Sequence, residues 1–138
     1  SVNKISEGTF SASGITSISL ENITSVDASA FANCLSLATV SGWSSVETIG
    51  ASAFEGCTTL TSVVFDASLK SVGASAFAGC DGLTKVDAKS ITPLAITDDV
   101  FGEKTYSTAI LAVPYDYKAV YANSTGWKNF VAGIMSDF

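Results

Sequence analysis

Three cysteines, Cys34, Cys57 and Cys80, recur every 23 residues and are the first candidates for chemistry in this 138-residue chain. Neighbouring turns of a stacked repeat bring Cα atoms within the ~4.4–6.8 Å that a disulfide needs. Side chains in one column run parallel, however, and three is an odd number. No Cys-x-x-Cys pair or histidine completes a metal set. The better reading is buried free thiols acting as small hydrophobes. The pair Asp98-Asp99, with Glu103 nearby, offers carboxylates to a cation, but their offsets match no calcium loop. A solvated turn accounts for them more simply. No metal and no cofactor are therefore expected.

Catalysis finds little footing. The chain has no histidine, which excludes histidine-based triads and the zinc-hydrolase motifs. Paired carboxylates for glycoside hydrolysis need only converge in space. Here the acidic residues fall mostly in variable turns with no cleft implied, so a non-enzymatic protein is expected. All seven basic residues are scattered lysines against thirteen acidic ones, for a net charge of −6. Nucleic-acid binding requires clustered Lys or Arg to displace counterions and is set aside. No apolar run reaches the ~18–20 residues that cross a bilayer, so this segment is not expected to insert into a membrane. No secretory signal opens the chain. Asn22-Ile-Thr24 and Asn123-Ser-Thr125 are glycosylation sequons that matter only in a eukaryotic host.

The elements that position these residues follow from an internal repeat. Hydrophobic residues make up 47% of the chain and charged residues 14%, a globular composition of one domain spanning 1–138. Val26-Asp-Ala-Ser-Ala-Phe31, Ile49-Gly-Ala-Ser-Ala-Phe54 and Val72-Gly-Ala-Ser-Ala-Phe77 align without adjustment. They continue as Cys34-x-x-Leu37-x-x-Val40, Cys57-x-x-Leu60-x-x-Val63 and Cys80-x-x-Leu83-x-x-Val86. Weaker copies flank them at Ile5/Phe10 and Ile96/Phe101, giving about five coils with a last coil and cap over 102–138.

After each Leu comes a short alternating run, which marks a strand with one face inward. One such strand per coil, stacked ~4.8 Å from the next, predicts one parallel sheet along the solenoid. The outward residues are then Ser17 and Ser19, Thr39 and Ser41, Ser62 and Val64, Lys85 and Asp87, Ile110 and Ala112. The Ala-Ser-Ala-Phe-x-x-Cys segment is too short for a full helix and reads as a turn or 3₁₀ piece, with the Phe as an inward plug.

The Ala-Phe-x-x-Cys-x-x-Leu-x-x-Val unit resembles the BspA-like leucine-rich repeat family, whose repeat runs Leu-x-x-Ile and then Ile-Gly-x-x-Ala-Phe-x-x-Cys. The segment Leu111-Ala-Val113-Pro114, followed by Tyr121, Trp127, Phe130 and Ile134, is similar to that family's closing block, in which a short helix and aromatics cover the open end. The fold expected is thus an α/β-type, β-rich, right-handed coil stack with one sheet, short turns opposite and an aromatic cap. The ordinary leucine-rich consensus with its asparagine ladder is not matched, and the first and last units lack the Cys. Irregular ends of this kind read as a short array, the last part of a longer protein. Members of the family are secreted or surface-anchored proteins of host-associated anaerobic bacteria, and some are adhesins for host matrix proteins. The resemblance therefore implies an extracellular or cell-surface location, with the signal or anchor outside this chain.

The expected partner surface is the outward strand face, Thr39, Ser41, Ser62, Val64, Lys85 and Asp87, because solenoids bind along extended faces. It is equally a plain solvated sheet, since its side chains are small. Trp43 stands where the other coils carry Glu21 and Asp66. It is either a binding anchor or a lid folded over the coil's apolar edge. Tyr106, Tyr115 and Tyr117 near the cap leave the same two choices open. A monomeric recognition module for a host matrix protein or glycan is the expected function. A structural spacer, or an accessory domain of a larger secreted protein, is the alternative.

Overall fold

The computed structural model describes residues 3–136 of the chain. Each coil contributes two short strands. In chain order these are β1 (Lys4–Ile5), β2 (Ser17–Ser19), β3 (Ser25–Val26), β4 (Thr39–Ser41), β5 (Thr48–Ile49), β6 (Ser62–Phe65), β7 (Ser71–Val72) and β8 (Lys85–Ala88). The C-terminal part adds α1 (Glu103–Thr108), β9 (Ile110–Val113), α2 (Lys118–Ala122) and β10 (Ile134–Ser136).

All pairings are parallel and keep the repeat register, but the expected single sheet is instead three. One ladder runs β1-β3-β5-β7, built on the Ile or Val that precedes each turn. The outward face is split into β2-β4 and β6-β8-β9-β10. The split has a local cause. Gly42 follows β4 in a left-handed conformation (φ 76°) and turns the chain into a 3₁₀ segment, Trp43–Ser45. The Trp43 indole N–H then donates to the Val40 carbonyl at 3.1 Å. That carbonyl is the acceptor which the register would otherwise offer to the backbone of β6.

The core is a column of phenylalanines. Phe10, Phe31, Phe54, Phe77 and Phe101 stack face to face, with successive centroids 5.3, 5.0, 5.2 and 5.5 Å apart. Phe31, Cys34, Leu37, Val40, Phe54, Cys57, Leu60, Val63, Phe77, Cys80, Leu83 and Val86 are all buried around it. The turns that carry Phe10, Phe31, Phe54 and Phe77 stay short because two residues in each sit at positive φ. They are Gly8, Ser29, Ser52 and Ser75, two before each Phe, and Ala12, Asn33, Gly56 and Gly79, two after it. Left-handed residues at both positions prevent a helix from propagating.

Coils approach closely beside these turns. A Cβ on Gly50 would lie 2.5 Å from the Ala28 backbone nitrogen, so Gly is required there by contact with the coil below. The cap closes the column with Tyr121, Trp127 and Phe130, all buried. Trp127 meets Phe65 edge-on at 5.4 Å and donates its indole N–H to the Leu94 carbonyl at 2.8 Å. Ile134 belongs to a strand that extends the sheet, a pairing the sequence pattern did not suggest.

Candidate functional site

The outward face of the split sheet is set by pairing. Ser17 lies beside Thr39 and Ser19 beside Ser41, and farther along Ser62, Lys85 and Ile110 form one row. Val64, Asp87, Ala112 and Met135 form the next. Ser17, Ser19, Thr39, Ser41 and Ser62 are exposed, whereas Val64, Lys85 and Asp87 are half-buried. Ala112 was expected to face solvent but is buried, because its methyl lies between the longer side chains of Asp87 and Met135. The Lys85 ammonium sits 3.6 Å from Asp87 Oδ1 along the same strand. This face offers hydroxyl donors and acceptors on β2, β4 and β6, with one ion pair on β8, between β6 and β9.

Trp43 leaves the candidate surface. Its side chain is 7% exposed and tilts against Phe54 with centroids 5.8 Å apart. The indole covers the coil's apolar edge because the left-handed Gly42 directs the chain back over it, and Val40 satisfies its one donor. Tyr106 is also buried, while Tyr115 is exposed.

The cysteines form a column beside the rings. Cys34, Cys57 and Cys80 are buried and free. Each thiol donates to the carbonyl of the preceding coil's phenylalanine, Phe10, Phe31 or Phe54, at 3.0, 3.1 and 3.0 Å. Burial pushes the Cys34 thiol above its ordinary pKa. Hydrogen bonding with Cys57, together with burial, does the same to Cys80. With the hydrogen committed to a backbone carbonyl, Cys34 and Cys80 are poor nucleophiles. Among the described residues no three His, Cys, Asp or Glu side chains gather as a metal set.

A second feature lies at the last coil, where the repeat changes character. Asp98-Asp99 take the place of the Ala-Ser found before Phe31, Phe54 and Phe77, and Asp99 does not adopt the left-handed conformation of Ser29, Ser52 and Ser75. The turn ladder loosens accordingly. Between earlier coils it holds three backbone hydrogen bonds, as in Ser52 to Ala74, Phe54 to Ala76 and Gly56 to Ala78. Between the Phe77 and Phe101 turns only Phe77 N–H to Val100 remains of that set. The Asp98 carbonyl, which Ser75 would have used, instead accepts the Tyr106 hydroxyl at 2.9 Å. Burial, ahead of the nearby aspartates, raises the Tyr106 pKa.

The loosened turns leave a groove of about 660 Å³, open to solvent, with Ala78, Phe101, Tyr106 and Val131 among its lining. Asp98, Asp99 and Glu103 also line it. Asn129 Nδ2 donates to Asp98 Oδ1 at 2.8 Å, and the Thr97 hydroxyl donates to Asp99. The sequence pattern suggests only a plain solvated turn at the aspartates, and it does not single out Asn129 or Val131. The available signal was the break in the Ala-Ser-Ala-Phe motif at Phe101.

The repeat architecture can be set against known proteins. The sequence matches the model of the BspA type leucine rich repeat region, with six copies over residues 1–112. The chain belongs to this family. No curated protein matches it. Among solved structures, the crystal structure of the pneumococcal vaccine antigen PcpA is similar, with a TM-score of 0.71 at 16% sequence identity. The likeness covers 99% of this chain and 39% of that one, so the chain spans about two-fifths of the antigen's length and shares its fold. The family match counts six copies where the phenylalanine units number about five, and it stops at 112, before α2 and β10. The groove thus sits where the repeats meet the cap.

Proposed function

We propose that this chain is a non-enzymatic recognition module of a bacterial surface or secreted protein, binding a host extracellular protein or glycan through its outward strand face. The observation that carries this reading is the set of exposed hydroxyls on the outward strands, Ser17, Ser19, Thr39 and Ser41 on the paired β2 and β4, with Ser62 on the neighbouring β6. A preorganised polar face loses little entropy on binding, which favours adaptable hydrogen bonding to a protein or sugar surface. The fold shared with a chain described as a vaccine antigen supports an exposed location. Among the described residues no helix is long and apolar enough to cross a membrane. The module acts as a monomer in this reading.

The test is a binding screen of the chain against immobilised fibronectin, fibrinogen, collagen, mucin and a glycan panel, beside a Thr39→Lys/Ser62→Lys variant. Both substitutions place long charged side chains at exposed strand positions and leave the core untouched. Saturable binding that the variant loses supports the strand-face reading. A cooperatively folded sample that binds none of these ligands points to a spacer.

A further inference from the structure

We propose that the groove at the last coil is a docking site for an extended basic segment of a partner protein, one that alternates Lys or Arg with an apolar residue. It is independent of the strand face and stands whether or not that face binds anything. The groove arises from a break in an otherwise regular ladder, so the space is specific to one position in the stack. Two of the three turn hydrogen bonds seen between earlier coils are gone there.

Its chemistry is split. Val131 gives the wall an apolar side chain that is 77% exposed, next to the edges of Phe101 and Tyr106. Along the rim stand three carboxylates, Asp98, Asp99 and Glu103, and none of the ion pairs among the described residues involves them. Lys104 and Lys128, the nearest lysines in sequence, do not line the groove. Two of the carboxylates are held in place before any ligand arrives, Asp98 by Asn129 and Asp99 by Thr97.

An apolar wall beside fixed negative charges complements a side chain with an apolar stem and a cationic head. A peptide carrying several of these gains from each pair, and the chain's net charge of −6 steers it inward. A single small amine would leave the apolar wall uncovered. An anionic partner would be repelled.

The experiment is an amide NMR titration of the full chain with the synthetic peptide acetyl-Gly-Lys-Leu-Lys-Leu-Lys-Gly-amide, and with its counterpart in which glutamates replace the lysines. Saturable shifts are expected at Asp98, Asp99, Glu103, Asn129 and Val131 with the lysine peptide alone. The Asp98→Asn/Asp99→Asn/Glu103→Gln variant should bind about tenfold more weakly, because each exposed charge pair contributes modestly. A Glu7→Gln/Glu21→Gln/Asp66→Asn variant removes the same charge at residues that do not line the groove and should change affinity less than about twofold. Val131→Ser keeps every carboxylate and its hydrogen bonds, and should also weaken binding. Equal weakening in the two charge variants would reduce the effect to overall acidity and overturn the proposal. So would shifts scattered over the whole surface, equal binding of the glutamate peptide, or no saturable shift by about 2 mM peptide.

Discussion

Replacing Phe54 by alanine probes the central assumption that the ring column holds the coils together. Phe54 is fully buried, with Phe31 at 5.0 Å on one side and Phe77 at 5.2 Å on the other, nearly parallel to both. Truncation leaves a ring-sized gap between two rings that cannot close on it. Their spacing is set by the backbone, through Phe31 N–H to Ala53 at 2.7 Å and Phe54 N–H to Ala76 at 2.8 Å. A site that cannot collapse falls in the upper part of the ~3–5 kcal/mol range for Phe→Ala, and about 4 kcal/mol is expected. With an unfolding entropy of ~2.1 cal/mol/K per residue, that lowers Tm by about 14 °C for a chain of this length.

Phe10 supplies the internal comparison. It is half-buried and stacks on one described ring, Phe31, at 5.3 Å. Phe10→Ala should therefore cost about half as much, near 2 kcal/mol and ~7 °C. Urea unfolding followed by circular dichroism and tryptophan emission gives both values. The reasoning fails if Phe54→Ala costs less than about 1 kcal/mol, or if the two substitutions cost the same.

Further expectations rest on local surroundings. Gly50→Ala places a methyl 2.5 Å from a backbone nitrogen and should cost ~2–3 kcal/mol in a thermal melt. Gly14→Ala, with nothing within 4 Å of its Cβ position, should stay within ~0.5 kcal/mol of the parent. Trp43→Phe keeps an aromatic under the coil edge but leaves the Val40 carbonyl without its 3.1 Å donor. It should lose ~1–2 kcal/mol in urea unfolding, whereas an exposed binding anchor would tolerate the change. Tyr121 is buried, its hydroxyl donates to Ser90 at 2.6 Å, and burial pushes its pKa up to about 12. An unfolded tyrosine ionises near ~10, so the protonated phenol's contribution is intact below that pH and is lost as pH rises through about 12. Absorbance at 295 nm should show late ionisation in the parent, and in Tyr121→Phe its amplitude should fall by one tyrosine, leaving that of Tyr106.

The repeat itself was legible because four core positions recur in three coils at one period, and each identical step places the same side chain in the same column. The ladder β1-β3-β5-β7 was not, since a two-residue strand such as Thr48–Ile49 has a single inward side chain and shows no alternation. Strand β10 escaped for a different reason: Ile134, Met135 and Ser136 pair with Leu111, Ala112 and Val113, more than twenty residues away. Trp43 occupies a slot that Glu21 and Asp66 fill in other coils, so periodicity could not say which way an aromatic there points. The groove depends on hydrogen bonds that are missing between two turns, and only the substitution of Asp98-Asp99 for Ala-Ser hinted at it.

The thiol column has a consequence for watching the molecule move. Each sulfur reports on a different interval of the stack, because Cys34, Cys57 and Cys80 are tied to the Phe10, Phe31 and Phe54 carbonyls in turn. A thiol shut away in this manner reacts with a disulfide reagent only while its own coil is open, so its labelling rate measures a local opening equilibrium. Resolved by mass spectrometry, three native cysteines give three opening free energies along the axis. They distinguish fraying that enters from one end from a stack that opens all at once.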